Sequence, residues 1–249
     1  MQQPANKPHP VLKDYYGEES DKRAFVDDLF DRTAPYYDRI LRFGFLGTGQ
    51  AYRRHALTLS GLAPGMEVLD VATGTGPVAE EVRKIVGDER ITCVDPSRGM
   101  IDVARGKFGA RFVQGLGEQL PLASEQFDRV YMGYGLRHVR DLSELFGEYF
   151  RVLKPGGRCM ILEVSRPRTR RQLAVARFYF RDFIPFLSRL LTRDPDGHTL
   201  MRYFWETIDQ CVPPEDIIQA LEGVGFEDVQ RNVQLGVFSA YLATRPAEG

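Results

Sequence analysis

No run of about 18 apolar residues occurs anywhere in the sequence, which excludes a membrane-spanning helix. The opening residues, Met1 to Val11, carry Pro4, Pro8 and Pro10 and lack the apolar centre of a secretory signal, so a cytoplasmic protein is expected. Cysteine is scarce. Cys93, Cys159 and Cys211 stand far apart with no CxxC pair, which argues against a disulfide framework and a zinc site and for a reduced compartment; no metal is expected. Neither sign of charge dominates: 33 Lys and Arg face 34 Asp and Glu, a net charge of -1, so bulk electrostatics give no reason for a nucleic-acid partner. No internal repeat or low-complexity block is present, apart from the proline-bearing start. A tail over residues 1–20 is expected to be disordered.

What the chain does have is a change of grammar. Residues 21–38 and 51–59 place apolar side chains at helical spacing, a helical cap over 21–63 that Pro64 and Gly65 end. From 64 to 166 short apolar runs alternate with helical stretches: strands at 67–71, 91–94, 111–113, 127–132 and 158–164, helices at 78–86, 99–107 and 142–153, and a turn at Pro155-Gly156-Gly157. Parallel neighbours need crossovers, and the crossovers bury both sheet faces, so this alternation predicts an α/β core. Residues 167–210 form a helical insertion, read as a lid, whose aromatics Phe178, Tyr179, Phe180, Phe183 and Phe186 interleave with arginines. Residues 211–249 supply a helix and, through Gly236, two strands of an antiparallel hairpin that ends one sheet edge.

The chemistry begins at Val68-Leu69-Asp70-Val71-Ala72-Thr73-Gly74-Thr75-Gly76, a strand running into a Gly-x-Gly turn and a helix. Such a turn lets a ligand approach free backbone N–H groups. GTGPVA also fits a dinucleotide fingerprint. Asp95, ending the second strand, can accept both ribose hydroxyls of an adenosine; it marks a nucleoside and not a reaction, and it also suits a helix start. Asp70 discriminates, because an acid beside the turn repels a pyrophosphate and suits a phosphate-free cofactor with a cationic amino-acid end. No Tyr is followed four residues later by Lys, which weakens a short-chain dehydrogenase reading.

Several further blocks carry a resemblance: Phe30-Asp31-Arg32-Thr33-Ala34-Pro35-Tyr36-Tyr37-Asp38, Gly135-Leu136-Arg137-His138-Val139, Arg151-Val152-Leu153-Lys154-Pro155-Gly156-Gly157 and Leu162-Glu163-Val164-Ser165-Arg166-Pro167. With the Asp70 loop they make the chain, from about Phe25 to Ala243, resemble the class I S-adenosylmethionine-dependent methyltransferases, and within them the ubiquinone and menaquinone biosynthesis C-methyltransferases. The resemblance implies a doubly wound, Rossmann-like seven-stranded sheet and S-adenosyl-L-methionine as cofactor. Asp70, Thr73, Gly74 and Gly76 would hold its methionine end, Asp95 the ribose, and Pro96 and Met100 the adenine, with Gly115, Leu116 and Gly117 on the far side.

The implied acceptor is a small aromatic or quinol, with Tyr37 at its entrance and Arg137 and His138 as the catalytic pair: Arg137 to stabilise a phenolate, His138 to take its proton. Structural readings stand beside these, a satisfied core histidine and an Arg137 paired with a carboxylate such as Asp141. Transient membrane-surface contact and a homodimer are compatible with the same resemblance. The family's usual residues differ at Pro77, an acid there, at Leu116, an Asp, and at His138, an Asn. O- or N-methylation of a phenol or phospholipid amine, a nucleotide-dependent dehydrogenase and a non-catalytic cofactor-binding partner remain alternatives.

Overall fold

In the computed structural model, which describes residues 7–44, 48–192 and 195–247, the alternation of apolar runs becomes a seven-stranded sheet. Strands β1 (Val68–Val71), β2 (Ile91–Asp95), β3 (Arg111–Gln114), β4 (Phe127–Gly133) and β5 (Leu153–Val164) pair in parallel. Strands β6 (Glu227–Gln234) and β7 (Phe238–Thr244) form the antiparallel hairpin. The spatial order is β3-β2-β1-β4-β5-β7-β6, so the strand order reverses between β1 and β4. Open α/β sheets bind ligands outside the carboxyl ends of the strands at such a reversal.

Every residue of β1 and β2 is buried. Strands covered on both faces need no polar alternation, which is why these two read as continuous runs. On one face α2 (Thr48–Leu59), α3 (Ala79–Val86) and α4 (Arg98–Arg105) enclose a core that includes Leu57, Val82, Cys93 and Tyr131. On the other, α5 (Leu142–Val152) and α9 (Pro214–Val224) enclose Leu69, Val130, Phe146 and Leu221. The helix ends follow local chemistry. Ser97 Oγ accepts the Met100 N–H at the start of α4, and Gly225, at φ 108°, ends α9 in the left-handed conformation.

A third core lies over the sheet's carboxyl end, where α1 (Glu19–Gly44) meets α6 (Arg170–Arg177), α7 (Ile184–Thr192) and α8 (Pro195–Asp209) through Leu29, Ile40, Ile184, Leu200 and Tyr203. Residues 178–183 join α6 to α7 as a π turn, in which the Ile184 N–H reaches back five residues to the Tyr179 carbonyl. Helical periodicity over 168–191 gives no sign of that wider turn. No helix among the described residues is long and apolar enough to cross a membrane.

Two expectations need correction. The disordered tail expected over residues 1–20 does not hold for residues 8–18: Leu12 and Tyr16 are buried in the third core, and the Val212 N–H donates to the Pro8 carbonyl at 2.8 Å. Residues 1–6 lie outside the described residues. The Pro155-Gly156-Gly157 turn lies inside β5, as a register shift between the Phe127/Leu153 and Arg129/Arg158 pairs.

Candidate active site

A cavity of about 770 Å³ opens at the carboxyl ends of β1, β2 and β4, between the sheet and helices α1 and α2. Its floor is two strand ends. Ala72, after β1, and Tyr134, after β4, have φ 51° and 64°. Both line the cavity. Non-glycine residues held in the left-handed region cluster where a site needs them. The chain then turns at Gly74 and Gly76, φ 57° and 89°. Gly74 faces the cavity, whereas Gly76 does not: a Cβ there would meet the Phe108 ring at 2.6 Å, so this glycine serves the approach of α4's end to the turn.

Asp70 and Asp95 tie that turn from beneath and beside. Thr73 Oγ1 donates to Asp70 Oδ2 at 2.7 Å. The Gly74 and Ser97 N–H groups donate to Asp95 Oδ2 and Oδ1 at 2.7 and 2.8 Å. A carboxylate oxygen accepts more than one hydrogen bond, so Asp95, which lines the cavity, retains acceptor capacity. Burial pushes the Asp95 carboxyl up from 3.8 to about 6. Asp70 lies behind Thr73 rather than on the cavity wall, and its Oδ1 is buried with no hydrogen-bond partner. Burial raises its pKa to about 7 despite hydrogen bonding from Thr73 and from the Ala79 backbone N–H.

Opposite the turn stand residues that the sequence reading missed. Arg53, on α2, lines the cavity, its Nε is buried without a partner, and its charge lowers the Asp70 pKa. Asp38, on α1, accepts from Thr75 Oγ1 at 2.5 Å and is ion-paired to Lys107, whose Nζ donates to the Thr75 carbonyl at 2.8 Å. Asp31 Oδ1 accepts from Ser97 Oγ and, at 2.9 Å, from the Gly99 N–H. These three side chains sit on amphipathic helices, where a polar residue facing a cavity has the same spacing as one facing water.

Of the remaining predicted residues, Pro96 and Met100 line the cavity, as does Tyr37, whose hydroxyl burial pushes up to about 12. Gly115, Leu116 and Gly117 do not line it. Their reasons are packing and pairing: a Cβ at Gly117 would come within 2.7 Å of Leu145 and 3.1 Å of Val71, and Leu116 forms an isolated bridge with Gln119. Among the described residues of the helical insertion over 167–210 only Phe204 lines the cavity, whose roof comes mostly from α1 and α2 rather than from the expected lid.

The two expected catalytic residues part company. His138 lines the cavity, stacks on Tyr203 at 5.6 Å and meets Phe30 edge-on, and neither ring nitrogen has a hydrogen-bond partner. Burial, with Arg137 and Lys22 nearby, holds its imidazole well below 6.5. It is therefore neutral. Arg137 is fully buried away from the cavity. Its Nε donates to Glu163 Oε1 at 2.8 Å, its Nη1 to Thr207 Oγ1 at 2.6 Å and to the Phe204 carbonyl at 3.1 Å. Its carboxylate partner is Glu163 on β5, not the Asp141 suggested by proximity in sequence.

A family model described as the ubiE/COQ5 methyltransferase family matches residues 17–245. The chain is 31% identical over 235 residues to a ubiquinone/menaquinone biosynthesis C-methyltransferase UbiE of Geotalea daltonii, covering 91% of this chain and 98% of that one. It is 32% identical over 234 residues to a demethylmenaquinone methyltransferase of Deinococcus radiodurans, covering 92% and 96%. Among solved structures, a phosphoethanolamine N-methyltransferase of Haemonchus contortus in complex with S-adenosyl-L-methionine superposes with a TM-score of 0.64 at 16% identity, over 90% of this chain and 60% of that one. That likeness carries the fold alone.

Proposed function

Because the chain belongs to the ubiE/COQ5 methyltransferase family, we propose that its cavity holds S-adenosylmethionine against the turn after β1, and that the enzyme methylates a ring carbon of a quinol or related phenol. The observation that carries this reading is Arg53, a cation on the cavity wall whose Nε has no partner, standing opposite a turn that the buried Asp70 carboxyl backs. An amino-acid end has one group for each: a carboxylate for the Arg53 guanidinium and an ammonium for the field of Asp70. Asp95 takes ribose hydroxyls, and Pro96 and Met100 pack beside the base. When bound, the cofactor supplies an electrophilic sulfonium methyl.

The rest of the cavity suits a ring. Phe30, Tyr37, Phe204 and Phe238 give it apolar walls, and its volume of about 770 Å³ leaves room beyond a nucleoside. On that wall the His138 nitrogens and the Tyr52 hydroxyl are polar groups without a partner, and His138 stands between Phe30 and Tyr203. As a neutral imidazole it accepts a hydrogen bond from a ring hydroxyl, which orients the ring and draws electron density toward the carbon that is methylated. Loss of the hydroxyl proton to water in the open cavity would make the ring carbon nucleophilic toward the methyl that the cofactor would supply, and the proton that the methyl displaces from the ring would leave to water in turn. Arg137 acts through position, holding the loop that carries His138 to β5 and α8.

Calorimetric titration with S-adenosylmethionine and S-adenosylhomocysteine, with NAD and NADP as controls, tests the cofactor half. Micromolar binding of the sulfur nucleosides that weakens at least tenfold in Arg53→Ala is expected, since a hydrogen bond between charged groups contributes roughly 1.5–3 kcal/mol. Binding of NAD instead would sink the reading. For the acceptor half, a reduced quinone lacking one ring methyl is incubated with methyl-labelled cofactor. The label should appear on a ring carbon by NMR; label on oxygen would replace C-methylation with O-methylation.

A further inference from the structure

Residues 166–190 hold seven arginines and one acid, Asp182, in a chain whose net charge is -1. Along the same run Val175, Phe178, Phe183, Phe186 and Leu190 are 69, 63, 43, 67 and 66% exposed. The π turn brings them into line. It closes a loop of five residues, so Phe178 and Phe183 stand one above the other, and the three- and four-residue steps to Phe186 and Leu190 stay on that stripe. The opposite side packs against α8 and α1, with Phe180 and Ile184 buried.

Two features extend this stripe into a surface. Beside it a cleft of about 360 Å³ is lined by three arginines, Arg166, Arg170 and Arg177, against two carboxylates, Asp182 and Asp209, with Phe178 and Trp205. Arg166 is paired with Asp209, but among the described residues no carboxylate pairs with Arg170, Arg171, Arg177 or Arg189. The second feature is the β6–β7 tip. Leu235 is 84% exposed and lines the rim of the cavity, and a Cβ at its neighbour Gly236 would lie 3.1 Å from Gln172 on α6. The cavity's rim therefore adjoins the start of the apolar stripe.

We propose that the run of α6, the π turn and α7, together with the Leu235 tip, docks on an anionic phospholipid bilayer. The aromatic stripe enters the interface and Arg170 and Arg177 take headgroup phosphates at the cleft. Apolar side chains flanked by unpaired arginines have the composition of a helix lying in a membrane interface. The charge selects a bilayer over a second copy of this chain, since two such faces would bring unpaired arginines against each other. Docking would set the cavity's rim at the bilayer surface, where an acceptor with an apolar tail resides. That benefit rests on the acceptor proposed above; the surface itself does not.

Flotation of the full chain with vesicles, without cofactor or acceptor, separates the two. Wild type should float with vesicles of phosphatidylglycerol and phosphatidylcholine, and at least tenfold less with phosphatidylcholine alone. Phe178→Glu/Phe186→Glu and Arg170→Glu/Arg177→Glu, each with unchanged far-UV circular dichroism, should each lose at least tenfold in partition. No flotation on the anionic vesicles, equal flotation on both compositions, or flotation untouched by both variants would overturn the proposal. So would sedimentation showing that the Phe variant dissociates a dimer that does not bind vesicles. In any of those cases methyl transfer stands or falls on its own assay.

Discussion

His138 packs its ring against Tyr203 and Phe30, but its two nitrogens are buried and meet no donor or acceptor among the described residues. A buried polar group without partners costs stability, so the place has a use only when a ligand fills it. Replacing His138 with Leu should therefore lower kcat/KM for the acceptor by about tenfold, the equivalent of one hydrogen bond, without weakening the cofactor. His138→Asn should stay within about threefold of wild type, because the amide also offers an acceptor. Since the imidazole is held neutral, the Asn variant should keep the wild-type pH profile of kcat. Loss of an acid limb in that variant would mean that His138 titrates as a base. Arg137 is the contrasting case. Arg137→Ala strands Glu163, 1% exposed, without its counter-ion, and should cost about 3–5 kcal/mol in urea unfolding at pH 7. A cost under about 1 kcal/mol with turnover abolished would return Arg137 to catalysis.

At the scale of elements, the cap is fastened to the sheet domain where α1 crosses the start of α4. Gly99 permits this crossing, since a Cβ there would lie 3.0 Å from the Asp31 carbonyl and 3.3 Å from its Cα. Gly99→Ala must push α1 away by a few tenths of an ångström and loosen the Asp31 bonds to Ser97 and Gly99. Overpacking of this kind costs about 1–3 kcal/mol. Thermal melts should show the loss, and cofactor affinity should fall with it because Asp95 and Ser97 belong to the same turn. An unchanged melt and affinity would show that α1 gives way freely. The strands, the crossovers and the Asp70–Gly76 turn were legible in the sequence because their signals are local: continuous apolar runs, glycines, an acid at a strand end. The cavity's roof was not. Arg53 and Asp38 lie on helices whose polar residues look alike whether they meet water or a ligand. The Arg137–Glu163 pair joins residues 26 apart in the sequence, a relation no periodicity encodes. Gly115 and Gly117 were legible as glycines but not as packing glycines, because a close approach to Pro121 or Leu145 is a tertiary fact.

For the molecule as a whole, two buried carboxyls pull stability against two buried imidazoles as pH changes: burial lowers His9 to about 4 and His138 well below 6.5, so those two favour the folded state as pH rises. Asp70 and Asp95 hold protons up to about 7 and about 6 in the folded chain, against 3.8 ordinarily. Between about 4 and 7 these two carboxyls thus bind more protons in the folded state than in the unfolded one, and their contribution to stability falls as pH rises. A cationic cofactor end beside Asp70 favours its ionised form, so affinity should move oppositely. Measured against Asp70→Asn at each pH, the melting temperature of the free wild type should fall from pH 5 to 8, while the increment from saturating S-adenosylmethionine grows with pH in the wild type and not in the variant. A cofactor increment independent of pH would remove Asp70 from the binding site. The same long-range construction has a temporal side. Pro8 is held by Val212, and Tyr15 lies 5.2 Å from Tyr203. Synthesis delivers the chain from its amino end, and contacts that span almost its whole length close last. Residues around Pro8 and Tyr15 must wait for Tyr203 and Val212 to be made before they find their place, so the β1–β5 core can assemble while its roof is still open.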